Sequence, residues 1–269
     1  VEYLADRFDH MVVGVIEDIE PHPNADKLRV CKVDIGDGEI KDIVCGGINL
    51  EKGMRVAVSC PGAIVRWHGE GEPVEIKKSK LRGVASYGMI CASDEIGLGD
   101  LFPASQEAEI LDLSAFDVPA GTTLADALDL NDVLLEIDNK SMTNRPDLWG
   151  HYGIAREIAA LYNLPLAEIK PFETDVQSDF NVEIDDPDRC PRYIDVEMSG
   201  VNVKEAPYQM QNRIWKVGMR PINALVDITN YVMLATGNPT HAFDADNISD
   251  HIVVRHAAEN EKLLLLNDK

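Results

Sequence analysis

KLRVCKVDIG, Lys27–Gly36, carries apolar side chains at Leu28, Val30, Val33 and Ile35 and then stops at a glycine. A repeat near two residues puts alternate side chains on opposite faces of a strand. MVVGVIEDIE (Met11–Glu20), on the amino-terminal side, alternates more loosely. On the carboxyl-terminal side follow IVCGG (Ile43–Gly47), RVAVSCPGAIV (Arg55–Val65) and PVEIKKSKLRG (Pro73–Gly83). Glycines and prolines at Gly36–Gly38, Gly46–Gly47, Pro61–Gly62 and Gly69–Pro73 punctuate them as turns. Several short strands in about 100 residues, with no helical period, predict a small all-β domain over 11–113. A five-stranded oligonucleotide-binding barrel and a β-sandwich fit this pattern equally well.

Beyond it, residues 114–143 read as a connection with a short helix near Leu124–Leu128. NRPDLWGHYGIAREIAALYNLPL then predicts one helix, with Pro146 in its first turn, Asn144 or Asp147 as cap, and Asn163 and Pro165 as its stop. Leu148, Tyr152, Ala155, Ala159 and Tyr162 make an apolar stripe. Trp149 and Tyr152 are expected in the core, and Arg145 and Arg156 in ion pairs with nearby acids. Residues 167–180 read as a polar linker. From Asn181 the chain restarts with strands at NVEIDD and YIDVEMSGV. Helices near Ala206–Val217 and Ile222–Thr236 follow, the second closed by Gly237. HIVVRHA is a further strand, and KLLLLNDK a strand or hairpin that is expected to stop in mid-domain. The start lacks Met and is expected to lie inside a longer protein.

The 269 residues allow two or three domains. No run of 18 uncharged apolar residues occurs, so no membrane span is expected, and the first residues are no secretory signal. Five cysteines without a CxxC pair read as buried, reduced thiols of a cytoplasmic protein. His22 with Asp26, or His241 with Asp244 and Asp246, lacks a second His at helical spacing, so no metal is expected. The net charge of −22 argues against nucleic acid, since phosphate contact needs Lys and Arg. The charge is uneven, however: residues 104–200 hold 21 acids against 6 bases, whereas Lys77, Lys78, Lys80 and Arg82 form a basic run. A local basic face on an acidic chain can still hold RNA.

HPNADKLRVCKVDIG, IVCGG, the PGA at Pro61–Ala63, KKSKLRGVASYGMICASDEIGLG, NRPDLWGHYGIAREIAA and RPINALVDITNYVMLATGNPTHAFD occur in that order. Together they make the chain resemble the amino-terminal part of bacterial phenylalanine–tRNA ligase β subunits. The resemblance implies a multidomain α+β protein. An OB-fold barrel of the tRNA-binding type (11–113) is inserted in a small α/β domain (1–10 and 114–166), and the start of an α/β editing domain follows (181–269). It implies an α2β2 enzyme that charges tRNA(Phe) with Phe using ATP and Mg²⁺ on the α subunit, with neither bound by this stretch. DNA and membranes are not expected partners. WHGEGE (Trp67–Glu72) and ASQEAE (Ala104–Glu109) depart from the family pattern.

The resemblance also carries site residues. Asn24, Lys27, Arg29, Lys78, Lys80, Arg82, Ser86 and Met89 match the face that related barrels turn to tRNA. The plainer reading of that face is a solvated charge run. Thr229 and His241 match an editing pocket, with Asn223, Arg220 and Phe243 as possible walls. An apolar site for Phe rejects an isostere that adds only a hydroxyl by roughly a hundredfold, so a second, polar site that removes Tyr is needed. Ester hydrolysis mainly requires a positioned water, and no Ser/His/Asp or Cys/His nucleophile pattern is present. From the residues alone, His241 reads as a structural histidine after a helix cap. Asp227 and Asn230 read as capping or cross-linking groups. A free-standing aminoacyl-tRNA deacylase and a non-catalytic tRNA-binding module are the competing readings.

Overall fold

The computed structural model of the chain describes residues 1–170, 172, 181–248 and 250–264. The strands are β1 (Glu2–Tyr3), β2 (Met11–Pro21), β3 (Arg29–Asp34), β4 (Ile40–Cys45), β5 (Arg55–Ser59), β6 (Ile64–Val65), β7 (Val74–Glu75), β8 (Ser79–Leu81), β9 (Val84–Ser86), β10 (Met89–Ile90), β11 (Val133–Leu134), β12 (Val182–Ile184) and β13 (Ile252–Val254). The helices are α1 (Leu124–Ala127), α2 (His151–Tyr162), α3 (Tyr208–Lys216) and α4 (Ala224–Thr236). Two compact units form, residues 1–143 with 206–222, and residues 144–205 with 223–269. Residues 206–222 thus group with the amino-terminal segment.

The first unit is built on an antiparallel sheet in the order β10-β5-β2-β3-β4. Strand β2 pairs with β5 through Met11–Val15 and with β3 through Val15–Pro21, with a register shift between Ile16 and Asp18. Such a bulge bends a strand and sharpens its twist, which curls the sheet. The two edges then meet. Tyr87 N–H donates to the Asp42 carbonyl (2.8 Å), and Val44 N–H to Ser86 Oγ (3.0 Å). A nearly closed, five-stranded, OB-like barrel results. Ile16, Cys31, Val33, Ile43, Val56 and Val58 fill its interior. Met11, Val13 and Ala57 face the other way, onto Leu4, Phe8, Leu98, Leu113, Leu124 and Leu128. The β2–β5 wall is therefore buried on both sides.

Helix α3 docks on the segment after the barrel. Tyr208 lies against Phe102 and Phe116, with ring centroids 5.9 and 4.9 Å away. Its hydroxyl donates to the Leu128 carbonyl (2.8 Å), and burial raises its pKa. Asn212, 1% exposed, donates to the Leu128 and Asp129 carbonyls at 3.2 Å each. These are carbonyls at the end of α1, which have no partner within so short a helix.

The second unit corrects several expectations. The helix expected over 144–162 is broken: Pro146–Trp149 is a 3₁₀ turn, and α2 begins only after Gly150, which is extended. A Cβ on Gly150 would lie 2.2 Å from Gly237 N, so the chain at the carboxyl end of α4 leaves no room for a side chain there. Neither Asn144 nor Asp147 caps; Asp147 instead pairs with Arg145 (2.9 Å) and Arg156 (2.7 Å). Arg145 also reaches Glu157 (3.0 Å). Trp149 is 69% exposed rather than core, Tyr152 is half-buried, and Ala155 and Tyr162 face outward. The strand expected at YIDVEMSGV is absent. Ile194, Val196 and Met198 are exposed, and no strand pairs with this segment among the described residues. NVEIDD and HIVVRHA do supply strands, β12 and β13, which pair in parallel. The linker read at 167–180 and the strand or hairpin read at KLLLLNDK fall largely outside the described residues.

Asn212→Ala removes the buried amide that donates to the Leu128 and Asp129 carbonyls and is expected to destabilise the first unit by about 1–3 kcal/mol. A urea-midpoint shift measures it; an unmoved midpoint would refute this account of how α3 docks. Arg145 and then Arg156 hold the Asp147 carboxyl well below the usual carboxylate range. Its stabilisation is thus complete above the ordinary value of about 3.9 and disappears as pH falls through the lower folded value. Thermal melts against pH are expected to show this acid-side loss in the wild type and its absence in Asp147→Asn.

Candidate functional site

Two segments 58 residues apart in sequence meet on the barrel. Strand β2 ends at Pro21, and the loop His22–Leu28 turns the chain into β3. Across from it, β8 and β9 form a hairpin in the register Leu81↔Val84. Its two-residue loop is Arg82–Gly83, with φ of +46° and +93°. Positive φ at both central residues is the signature of a type I′ turn, which matches the strand twist. His22 Nδ1 accepts the Asn24 N–H (3.1 Å), which leaves Nε2 as the protonated nitrogen that donates to the Leu81 carbonyl (3.1 Å). Asn24 Nδ2 donates to the Arg82 carbonyl (3.0 Å).

This junction gathers several expected tRNA-binding residues on one rim. Asn24, Lys27, Arg29, Lys80 and Arg82 are exposed there. Among the described residues, Lys27, Lys78, Lys80 and Arg82 make no ion pair with an acid. Arg29 donates only to the Asp26 and Leu28 carbonyls, at 3.0 Å each. Of the nearby acids, Glu75 is taken by Lys77 (3.1 Å). Lys78 lies over the Tyr87 ring, 5.0 Å from its centroid, a cation–π contact that sequence reasoning passed over. Two expected residues lie elsewhere. Ser86, 3% exposed, is spent on closing the barrel, accepting from Val44 N–H and donating to the Gly88 carbonyl (2.9 Å). Met89 is half-buried against the core. Nothing local in the sequence foretells the His22–Leu81 contact, because it depends on how the barrel closes.

The expected pocket residues are distributed over both units. Arg220 is exposed in the first. In the second, Asn223 caps α4, its Oδ1 accepting from Leu225 N–H (3.1 Å) and Val226 N–H (3.2 Å). Thr229 is half-buried on α4, and its hydroxyl donates to the Val226 carbonyl (2.7 Å). Gly237, in the left-handed region, ends the helix. His241 and Phe243 follow it and are exposed. Asp227 is buried in the first turn of α4.

Among the described residues no three His, Cys, Asp or Glu stand together as metal ligands. Burial pushes the Cys31 and Cys91 thiols up to about 12 and that of Cys45 to about 11, far from a reactive thiolate. Cys60 and Cys190 are only half-buried. A cleft in the first unit has Leu4, Leu134 and Trp215 among its walls. Its two cations, Arg7 and Lys216, are neutralised by Glu2 and by Asp129 and Asp132. No described helix is long and apolar enough to cross a membrane.

Residues 11–122 match the family described as a putative tRNA binding domain, and residues 189–269 match the B3/4 domain. The phenylalanine–tRNA ligase β subunit of Pectobacterium atrosepticum is 42% identical over 99% of this chain and 32% of its own length. That of Aliivibrio fischeri is 41% identical over 98% and 32%. That of Fusobacterium nucleatum is 38% identical over 96% and 31%. The chain therefore spans about a third of the length of these relatives. Over that third, and over nearly all of its own sequence, it is a homologue of phenylalanine–tRNA ligase β subunits.

Proposed function

We propose that this chain serves a phenylalanine–tRNA ligase as the part of its β subunit that grips tRNA and removes wrongly attached Tyr. The observation that carries the reading is the rim where the His22–Arg29 segment meets the Ser79–Ser86 hairpin. It concentrates unneutralised cations on a barrel of a tRNA-binding family, in a chain whose overall charge is strongly negative. Lys and Arg there contact phosphates, and Asn24 lies beside them for the sugar or a base edge.

In this reading the β subunit works in the cytoplasm with an α subunit as α2β2. ATP, Mg²⁺ and Phe belong to a synthetic site on α, and no residue of this chain takes part in the synthetic step. The barrel is inserted in a domain made of residues 1–10 and 114–166, and the editing domain starts near 181. Editing falls to α4 and the turn after it. Thr229 gives its proton to the Val226 carbonyl and so keeps its oxygen as an acceptor for a phenol. His241, exposed, holds the ribose end or the attacking water. Phe243 supplies a wall, and Asn223 keeps the helix start rigid. Phe, lacking the hydroxyl, would leave such a polar site unsatisfied and escape hydrolysis.

The tRNA role is tested with full-length β subunit and its α partner. Lys80→Ala with Arg82→Ala is expected to reduce the slope of log K against log salt by about 2, one per lost phosphate contact. An unchanged slope and affinity would remove the rim from the interface. The editing role is tested with Tyr-charged tRNA(Phe). His241→Ala is expected to slow ester hydrolysis by about 10²-fold, the scale of losing one positioned catalytic hydrogen bond, while Phe charging stays normal. Equal hydrolysis by wild type and variant would sink that assignment.

A further inference from the structure

We infer that His22 and Asn24 act as a clamp that sets the position of the hairpin tip, and with it Lys80 and Arg82, for contact with the RNA backbone. The inference rests on the proposed tRNA role of the rim.

The hairpin has little to hold it by itself. β8 and β9 are three residues each and form a separate two-stranded sheet outside the five-stranded one. A two-stranded hairpin of that size is marginal in water. Ser79, Lys80, Leu81, Arg82 and Gly83 are all exposed, so no apolar burial anchors the tip. Its base is tied to β4 by Ser86 and Tyr87. The tip is tied by His22 and Asn24, which donate to the successive carbonyls of Leu81 and Arg82.

The turn also carries a strained residue. Arg82 is a non-glycine at φ +46°, a conformation that L side chains adopt only where the surroundings impose it. The Asn24 amide bonded to the Arg82 carbonyl is such an imposition. His22 is 6% exposed, both its ring nitrogens are engaged, and among the described residues it stands in no metal ligand set. One nitrogen fixes the loop that presents Asn24, and the other fixes the hairpin. His22 is therefore a positioning residue that acts through Asn24, Lys80 and Arg82.

Salt-dependent binding of an unmodified tRNA(Phe) transcript to the full-length protein with its α partner tests this through a double-mutant cycle. The proteins are wild type, His22→Ala, Lys80→Ala/Arg82→Ala and the triple variant. The clamp predicts that His22→Ala lowers the salt slope by about 1 to 2, approaching Lys80→Ala/Arg82→Ala. It also predicts that the triple variant binds no worse than Lys80→Ala/Arg82→Ala, because the cations that His22 positions are already gone. His22→Gln, whose amide still reaches the Leu81 carbonyl, is expected to recover most of the slope. If His22→Ala fails to fold, His22→Leu, which fills the buried site and cannot donate to the Leu81 carbonyl, takes its place in the cycle with the same expectation. A His22→Ala loss that adds in full in the triple variant, or an unchanged slope, overturns the clamp while leaving the rim intact. No loss in Lys80→Ala/Arg82→Ala overturns the tRNA reading itself, and the clamp with it.

Discussion

Strand β2 is the constraint on which the first unit depends. It is shared by two neighbours along its length, and the bulge near Ile16–Asp18 turns it from one to the other. Its side chains alternate between two cores, Met11 and Val13 on one side and Ile16 on the other. A fully buried Val, Leu or Ile contributes about 1.5–3 kcal/mol, so a wall that is buried on both faces couples the barrel interior to the layer made by Leu4, Phe8, Leu113 and Leu124. Gly14 belongs to this wall for a steric reason: a Cβ there would stand 2.6 Å from Val58 and 2.7 Å from Val33. The same strand runs out at Pro21 into His22, so the position of the loop facing the hairpin is inherited from the barrel.

Electrostatics decide how an acidic chain can offer a basic surface. Most of the charge excess lies in residues 104–200, outside the barrel strands. At physiological salt the screening length is about 8 Å, so exposed acids farther off than that contribute little at the rim. What matters there is whether each cation is already neutralised. Lys32 and Lys41 are, by Asp42 and by Asp37 with Glu39, and Lys77 is, by Glu75. Among the described residues, Lys27, Lys80 and Arg82 are not. The acidic remainder weakens long-range steering and leaves contact interactions to carry affinity.

Much of this was legible in the sequence, and the limits are physical. Alternation in Met11–Glu20 and Lys27–Gly36, with glycines between the runs, foretold the strands because the pattern is local. It left barrel and sandwich undecided, since closure rests on Val44–Ser86 and Asp42–Tyr87, contacts between distant segments. Helix α4 and its Gly237 stop were readable from capping chemistry, but the break at Gly150 was not. Gly150 is extended because the backbone at Gly237 sits against it, a neighbour 87 positions away. Trp149 was misread for the same reason: a helical stripe drawn through Leu148 and Tyr152 ignores the break between them. The basic residues of the rim were visible as types, whereas the burial of Ser86 required knowing which edge it closes.

The polar groups of the proposed editing residues are not equally available, and this orders their roles. Asn223 has spent its carbonyl oxygen on two backbone N–H groups at the start of α4, where a helix would otherwise leave them bare. It is better suited to holding the helix than to meeting a ligand. Thr229 has committed its proton but keeps acceptor capacity. His241 lies beyond the glycine stop and is exposed, so the α4 stop sets where its backbone starts, and in the proposed reading its ring meets the tRNA end. A site with one rigid acceptor on a helix and one exposed imidazole on the turn after it suits a reaction that needs a water and an ester positioned rather than a nucleophile activated. The two proposed tasks therefore rest on the same principle: backbone closure, at the hairpin tip and at the helix end, fixes where a few unspent polar groups stand.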